Sequence, residues 1–372
     1  MATESPAFQL GLNHPWVTCG HDFGPRPPAW SGARGTDWGE VERQLAEARA
    51  AGVRVSRWWV LAGGVNYPAG AHPDEAFAFD GQRFHRRLAL PSLPDAFLAD
   101  FDALLRACAN AGVRLVPSLL SFEAFFPAER QGPRVHSGGR APVILGDARG
   151  HGVDAFLDAV LAPLLEVSRG RAATLEAWEP INEPDWVVRG GPLHLRVRAG
   201  RLHRMPKTVA PEAMARFLDR ALDRILDAGF RATIGFKQAD PRWLPAPLRA
   251  RLQRLGRASR YVHQLHYYPS LHEPTPLPAH DTLPIRPCVV GEMPTARGRW
   301  LDPFFMRWLD GGPARWRREA DPDAYLRQRL ELVDRLRGYP GAWLWSARGE
   351  DGASRWGPAQ RAQVRAHLDA RR

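Results

Sequence analysis

Three times along this chain one short phrase joins an amphipathic stretch to an apolar one. It reads Ala-Gly-Val-Arg at Ala51–Arg54 and Ala111–Arg114, and Ala-Gly-Phe-Arg at Ala228–Arg231. Glycine reaches the left-handed backbone that closes a helix without steric cost. The Val or Phe that follows suits the start of a buried strand. A helix-to-strand junction used repeatedly points to a chain built from βα units.

The remainder of the chain keeps the same alternation. Helical periodicity runs through Trp38–Ala51, where Val41, Leu45 and Ala48 share a face, and through Asp95–Ala111, Val153–Val167, Pro322–Leu336 and Pro358–Ala370. Pro211–Ala228 is the clearest helix, with proline at its start, an apolar stripe from Met214 to Ile225, and Gly229 behind it. Between the helices lie strand-like runs: Leu10–Cys19, Val53–Leu61, Val113–Leu120, Thr174–Ile181, Ala232–Phe236, Tyr261–Tyr267, Cys288–Gly291 and Ala342–Trp345. Nearly continuous apolar strands alternating with helices predict a parallel sheet covered by helices. Eight such units fit one closed α/β fold, a single (β/α)8 TIM barrel over residues 1–372 with long βα loops. Pro269–Pro287 is dominated by proline and predicts an irregular connection where a helix would otherwise stand.

Composition narrows the function. The formal net charge of +11, carried almost wholly by arginine, raises the question of nucleic acid. The basic residues are scattered through helices among Asp and Glu, and no nucleic-acid module is recognisable, so no such partner is expected. Cys19, Cys108 and Cys288 have no metal-ligand or disulfide-framework spacing, and neither metal nor cofactor is expected. Met1–Leu10 lacks the basic start and apolar run of a secretory leader, which makes a cytoplasmic location the default expectation. No run is apolar for long enough to span a bilayer, so no membrane partner is expected. The 14 tryptophans supply core and, where exposed, flat faces on which sugars stack.

In such a barrel the chemistry belongs at the carboxyl ends of the strands. One run ends in Trp178-Glu179-Pro180-Ile181-Asn182-Glu183-Pro184, another in Val289-Val290-Gly291-Glu292-Met293-Pro294. Each sets a glutamate at a strand mouth. A single one is an ordinary surface charge; two facing one cleft are what glycosidic cleavage needs. One carboxyl protonates the departing oxygen, while the other attacks the anomeric carbon or activates water.

Asn182-Glu183-Pro184 with the later Gly291-Glu292 resembles the retaining β-glycosidases that include the family 5 cellulases and mannanases. The resemblance covers most of the chain. It implies Glu183 as acid/base, Glu292 as nucleophile, and Asn182 on the sugar 2-hydroxyl. Arg57 matches the arginine that those enzymes keep near the nucleophile. His266-Tyr267-Tyr268 resembles their His-x-Tyr, with His266 facing the cleft, Tyr268 donating to Glu292 and Tyr267 turned away. Trp345 matches the tryptophan beneath the sugar at the cleavage point, whereas Trp343 belongs to the core. Asn13, His14, Trp16 and the stretch His21–Gly24 suit a sugar-binding rim, and Trp186 a stacking face on the leaving-group side.

The chain also departs from that pattern. Where those enzymes carry a histidine pair, it reads Ser118-Leu119-Leu120-Ser121-Phe122-Glu123, and Glu292 is followed by Met293-Pro294-Thr295. These differences leave the sugar open among gluco-, manno- and galacto-configured substrates. Two long loops, Phe125–Gly150 and Trp186–Val209, border the expected cleft. The second holds Arg196, Arg198, Arg201, Arg204 and Lys207, a basic lip suited to an anionic oligo- or polysaccharide, or else a solvated face. Trp300, Trp308 and Trp316 offer further stacking faces. Rival readings remain a transglycosylase on the same site and a carbohydrate-binding protein without activity. His14 and His21 lack the spacing of a metal-dependent hydrolase, and Lys237 stands alone where a Schiff-base enzyme would need companions.

Overall fold

The computed structural model describes residues 8–17, 22–24, 36–61, 77–79, 84–86, 93–127, 129–132, 135–146, 152–193, 195–198, 201–268, 277–296, 324–347 and 355–371. Seven parallel strands form one curled sheet: β1 (Gln9–His14), β2 (Val55–Trp59), β3 (Arg114–Ser118), β4 (Ala232–Phe236), β5 (Tyr261–His266), β6 (Cys288–Pro294) and β7 (Gly341–Trp345). Their order across the sheet is β4-β5-β6-β7-β1-β2-β3.

Helices cover its outer face: α1 (Trp38–Ala50), α2 (Asp95–Ala111), α3 (Val153–Phe156, running on through Leu157–Leu161 and Ala162–Arg169), α4 (Pro211–Asp227), α5 (Ala246–Arg257), α6 (Tyr325–Glu331) and α7 (Pro358–Asp369). Among the described residues no helix is long and apolar enough to cross a membrane. In 277–287, the described part of the proline-rich connection, there is one 3₁₀ turn, His280–Thr282.

The recurring phrase of the sequence is a recurring piece of backbone. Gly52, Gly112 and Gly229 have φ of 106°, 66° and 86°. In each case the next residue donates its N–H five residues back, Val53 to Ala48, Val113 to Cys108 and Phe230 to Ile225, at 3.0, 3.0 and 3.1 Å. These bonds satisfy carbonyls that the helix end leaves open. A fourth copy was hidden from sequence because Ser259, with φ 57°, holds the glycine position, and Arg260 donates to Leu255 at 2.9 Å.

Thr174–Ile181, expected as a regular strand, is not one. The segment touches both edges of the sheet through isolated parallel bridges: Leu175 and Glu179 to β3, Trp178 and Asn182 to β4. Pro180 has no N–H to give, and neither has Pro117 on the facing strand. The ladder is interrupted for want of donors.

Strand alternation sorts the side chains. Val55, Val116, Val262, Val289 and Trp343 meet as a small apolar plug on the concave side. Gly11 makes room for it, since a Cβ there would lie 2.3 Å from the Trp343 ring. Two residues onward from Gly11, Val55, Val262 and Trp343 stand Asn13, Arg57, Gln264 and Trp345, so a polar layer sits directly above the plug. Outward-facing Leu12, Leu265, Tyr267, Met293 and Leu344 pack with Leu326 and Leu330 of α6 and Val364 of α7.

Glu292 needs a special device to join the polar layer. Strict alternation from Val289 would turn it outward. Between Val290 and Glu292 the pairing with β5 advances two residues on β6 for one on the neighbour, and the pairing with β7 slips likewise. This extra residue in β6 turns Glu292 inward and Met293 into the outer core.

Long βα loops carry short antiparallel hairpins: Phe77–Phe79 with Phe84–Arg86, Glu129–Gly132 with Val135–Ser137, and Leu195–Arg198 with Arg201–Arg204.

Candidate active site

The polar layer is organised by one guanidinium. Arg57 is completely buried. Its Nε donates to Glu179 Oε2 at 2.8 Å, Nη1 to Glu292 Oε1 at 2.7 Å and to Asn13 Oδ1 at 3.0 Å, and Nη2 to Asn182 Oδ1 at 2.7 Å. Its face lies 4.4 Å from the Trp59 ring centroid. Burial opposes the Arg57 charge, but the two carboxylates outweigh that and move its pKa upward. Glu179, fully buried too, also accepts from the Gly235 N–H at 2.8 Å and Gln264 Nε2 at 3.1 Å. A buried ion pair persists only when its remaining lone pairs are satisfied in this way.

Glu292 receives a second donor, the Tyr268 hydroxyl, at 2.7 Å on Oε2. Tyr267 faces away into the outer core, while its backbone N–H bonds the Glu292 carbonyl at 2.9 Å. Burial raises the Glu292 pKa, and His266, Arg57 and Tyr268 pull the other way.

Glu183 is held differently. It has φ 47° and ψ 54°, a left-handed conformation costing a non-glycine residue roughly 1–2 kcal/mol. Its backbone N–H bonds the Gly235 carbonyl at 2.9 Å. Its Oε2 accepts from Trp186 Nε1 at 2.8 Å, and Oε1 lies 3.0 Å from His266 Nδ1. Burial raises its pKa, against the charges of Lys237 and Arg57 and the Trp186 bond.

His266 stands between the two glutamates, with Nδ1 also 3.4 Å from Glu292 Oε1. Burial lowers its pKa to about 4, so at neutral pH the ring carries no charge. Among the described residues Nε2 has no hydrogen-bond partner, and the carboxylates beside Nδ1 favour the proton on that nitrogen. One oxygen from each glutamate and a ring nitrogen of His266 all lie within 4.8 Å of one another. That spacing would admit a cation, but the Arg57 guanidinium already occupies Glu292 Oε1 and repels one.

Other expected residues fall into place less simply. Trp345 is half-buried, edge-on to Trp59 at 5.3 Å, with surface left for a ligand. Asn13 is fully buried rather than on a rim: its amide donates to the Gly291 and Leu344 carbonyls, both at 3.1 Å, and its oxygen supports Arg57. Its role is that of a strut. His14 points outward by alternation, stacks on Trp58 at 5.4 Å and bonds Ser56 at 2.9 Å. Trp186, expected as an open stacking face, is only 6% exposed and spends its indole N–H on Glu183. Asp22 accepts from Val17 and Trp58. Trp16 and Glu123 are half-buried, and Glu123 bonds Ser121.

Of the basic loop, Lys207 donates to the carbonyls of Asp185 and Trp186, both at 3.0 Å, and Arg204 is exposed. The side chains of Arg196, Arg198 and Arg201 lie outside the described residues, as do His21, Cys19, Trp300, Trp308 and Trp316. Sequence reasoning assigned no role to Glu179, Gln264, Gly235 or Asp185. The only available signal was two acidic residues, Glu179 and Asp185, written beside Asn182-Glu183.

The chain shares its fold with solved β-mannanases. Among solved structures it is similar to an endo-1,4-β-mannanase from Eisenia fetida (18% identity, TM-score 0.62) and a β-mannanase from the blue mussel Mytilus edulis (15%, 0.60). Each likeness covers 98% of this chain and 92% of the other. It is also similar to a GH5_18 protein from Streptomyces cattleya in complex with Manβ1-4GlcNAc, at 14% identity and TM-score 0.57, covering 98% of this chain and 81% of that one. No protein-family profile and no curated protein sequence matches the chain.

Proposed function

We propose that this protein is a retaining glycoside hydrolase that cleaves β-linked hexosides in an oligo- or polysaccharide, with Glu183 as acid/base and Glu292 as nucleophile. The observation that carries this reading is the pair itself: carboxylate oxygens within 4.8 Å, on supports of different charge. Retaining enzymes hold their carboxyls about 5–5.5 Å apart, while inverting ones need about 6.5–9.5 Å to seat a water. The fold is read as an eight-staved barrel in which segment 175–182 is the fourth stave, since its bridges reach both edge strands.

The local electrostatics divide the labour. Glu292 has a guanidinium and a phenol on its oxygens, which favour the carboxylate needed for attack on the anomeric carbon. Glu183 takes the neutral indole of Trp186 and lies against the neutral His266 ring, and burial raises its pKa toward the protonated acid against the charges of Lys237 and Arg57. In the first step Glu183 gives its proton to the glycosidic oxygen, the leaving sugar departs as an alcohol, and Glu292 forms an ester with the anomeric carbon. In the second, the Glu183 carboxylate takes a proton from water, whose oxygen displaces Glu292. Trp345 offers a face to the sugar between them.

Mannose is the first sugar to test, because the similar structures are β-mannanases and a Manβ1-4GlcNAc complex. Incubation with mannan, glucan and galactan, and with aryl β-mannosides, glucosides and galactosides, followed by mass spectrometry, identifies the substrate. An added acceptor sugar distinguishes transfer from hydrolysis. NMR of the first product anomer must show retention; inversion, or full activity in Glu292→Ala, ends this reading.

A further inference from the structure

Behind Glu183 lies a carboxylate that the mechanism above does not use. Asp185 is completely buried. Its Oδ2 accepts the backbone N–H of Lys237 at 2.7 Å, and Oδ1 the indole N–H of Trp243 at 2.8 Å. Its own carbonyl accepts from Lys207 at 3.0 Å. Gly191 packs so close to this carbonyl that a Cβ there would stand 2.0 Å from the oxygen.

These partners come from three places: the residue following β4, the loop leading to α5, and the return of the long loop. All converge on the 3₁₀ turn Pro184–Trp186, the turn that begins at left-handed Glu183 and ends at the tryptophan bonded to it. Glu183 has no regular strand to hold it, because its segment meets the sheet only through isolated bridges. Its aim must therefore be fixed by side chains. Lys237 extends the connection: its ammonium lies 4.6 Å from the Tyr268 ring centroid and 3.5 Å from the His266 carbonyl.

We propose that Asp185 is a positioning residue for the acid/base, clamping the turn so that the Glu183 carboxyl faces the glycosidic oxygen. This inference rests on the assignment of Glu183 as acid/base. Burial also moves the Asp185 pKa up to about 7, so the clamp is itself sensitive to neutral pH. The groups it faces are Glu183 and Trp186 on its own turn, Lys207 on the long loop, and Lys237 and Trp243 beyond β4.

The test compares Asp185→Asn, Trp243→Phe and Glu183→Gln with the unmodified protein, on phenyl and 2,4-dinitrophenyl β-mannosides or their counterparts with the sugar found above. Asparagine turns an N–H toward one of the two N–H donors and breaks half of the clamp. General acid catalysis contributes about 10²–10⁴-fold, and small displacements of a catalytic group forfeit about 10²-fold. For Asp185→Asn, kcat/KM on the phenyl glycoside is expected to fall about 100-fold. On the dinitrophenyl glycoside, which leaves without acid help, kcat/KM should hold while kcat and KM fall together, with azide restoring kcat. Trp243→Phe should give the same pattern at about one tenth of the size, and carries the test if Asp185→Asn does not fold.

Equal losses on both leaving groups, or no loss in either variant while Glu183→Gln is impaired on the phenyl glycoside, would overturn the clamp and leave the acid/base assignment standing. An unimpaired Glu183→Gln would remove that assignment itself.

Discussion

The two glutamates of the site stand on differently built ground. Glu292 belongs to β6, a paired strand, and is turned inward by one extra residue. Beneath it is a buried lattice of Arg57, Glu179 and Asn13. Glu183 belongs to a segment with no continuous ladder, sits in a left-handed turn, and is steadied by an indole and a neutral imidazole. Burial raises the pKa of both, but one is held by a buried cation and a phenol and the other by an indole and an imidazole. On the proposed roles, that contrast suits a double displacement.

The sharpest way to break the comparison is to remove each carboxyl. With Glu292 as the proposed nucleophile, Glu292→Ala should lower kcat by about 10⁵-fold on every substrate. Glu183→Ala should lose about 10²–10⁴-fold on poor leaving groups, with much of it restored by activated ones. Identical leaving-group profiles for the two variants would erase the distinction drawn here. Arg57→Met is next. It strands Glu179 and Glu292 in a buried layer, an imbalance costing about 3–5 kcal/mol of stability, which chemical denaturation would read. A stability within error of the original would show that the lattice is not what holds the nucleophile's side.

Gly235→Ala tests how tightly the two halves are joined. A Cβ there would lie 2.4 Å from His266 Nε2 and 2.8 Å from Glu179 Oε1. Overpacking of that kind costs about 1–3 kcal/mol and should displace the ring between the glutamates, so the melting temperature and kcat are expected to fall together.

Finer still are the two limbs of the pH profile of kcat/KM. Tyr268→Phe removes a donor from the Glu292 carboxylate, which raises its pKa and moves the acid limb to higher pH. Trp186→Phe removes a donor from Glu183 and moves the alkaline limb to higher pH instead. If either variant moves the opposite limb, the roles are reversed.

The smallest effect is thermodynamic. Because the folded-state pKa of Glu183 is raised, the folded protein binds more protons than the unfolded chain between the two values, and stability declines as pH rises through that window. Glu183→Gln should therefore melt higher than the original at pH 8, and the gap should close toward pH 4.

Much of this was readable in the chain itself. Helix periodicity and the glycine junctions mark most of the elements, since helix ends and buried strands impose local rules that local sequence must obey. Asn182-Glu183 and Glu292 stand out because a carboxyl directly after an apolar strand is costly unless used. The differences have a common physical origin. Asn13 and Trp186 look open to a ligand in sequence because sequence cannot tell an amide or indole whose hydrogen bonds are spent inside the protein from one that is free. The irregular segment 174–181 was read as a strand because burial imitates a ladder that Pro117 and Pro180 cannot complete. Asp185 stands out only as an acidic residue beside Asn182-Glu183; its partners cannot be read, since Lys237 and Trp243 lie 52 and 58 positions onward.

The partners of Arg57 lie 44, 122, 125 and 235 positions away along the chain. As the polypeptide leaves the ribosome, the proposed site cannot be complete until residue 292 has emerged and found residue 57. Until then the guanidinium stays hydrated, and its transfer out of water waits for the carboxylates that make it tolerable. If the proposed function holds, acquisition of activity and completion of the tertiary structure are a single late event, and a chain terminated before residue 292 would lack that activity however much helix it had formed.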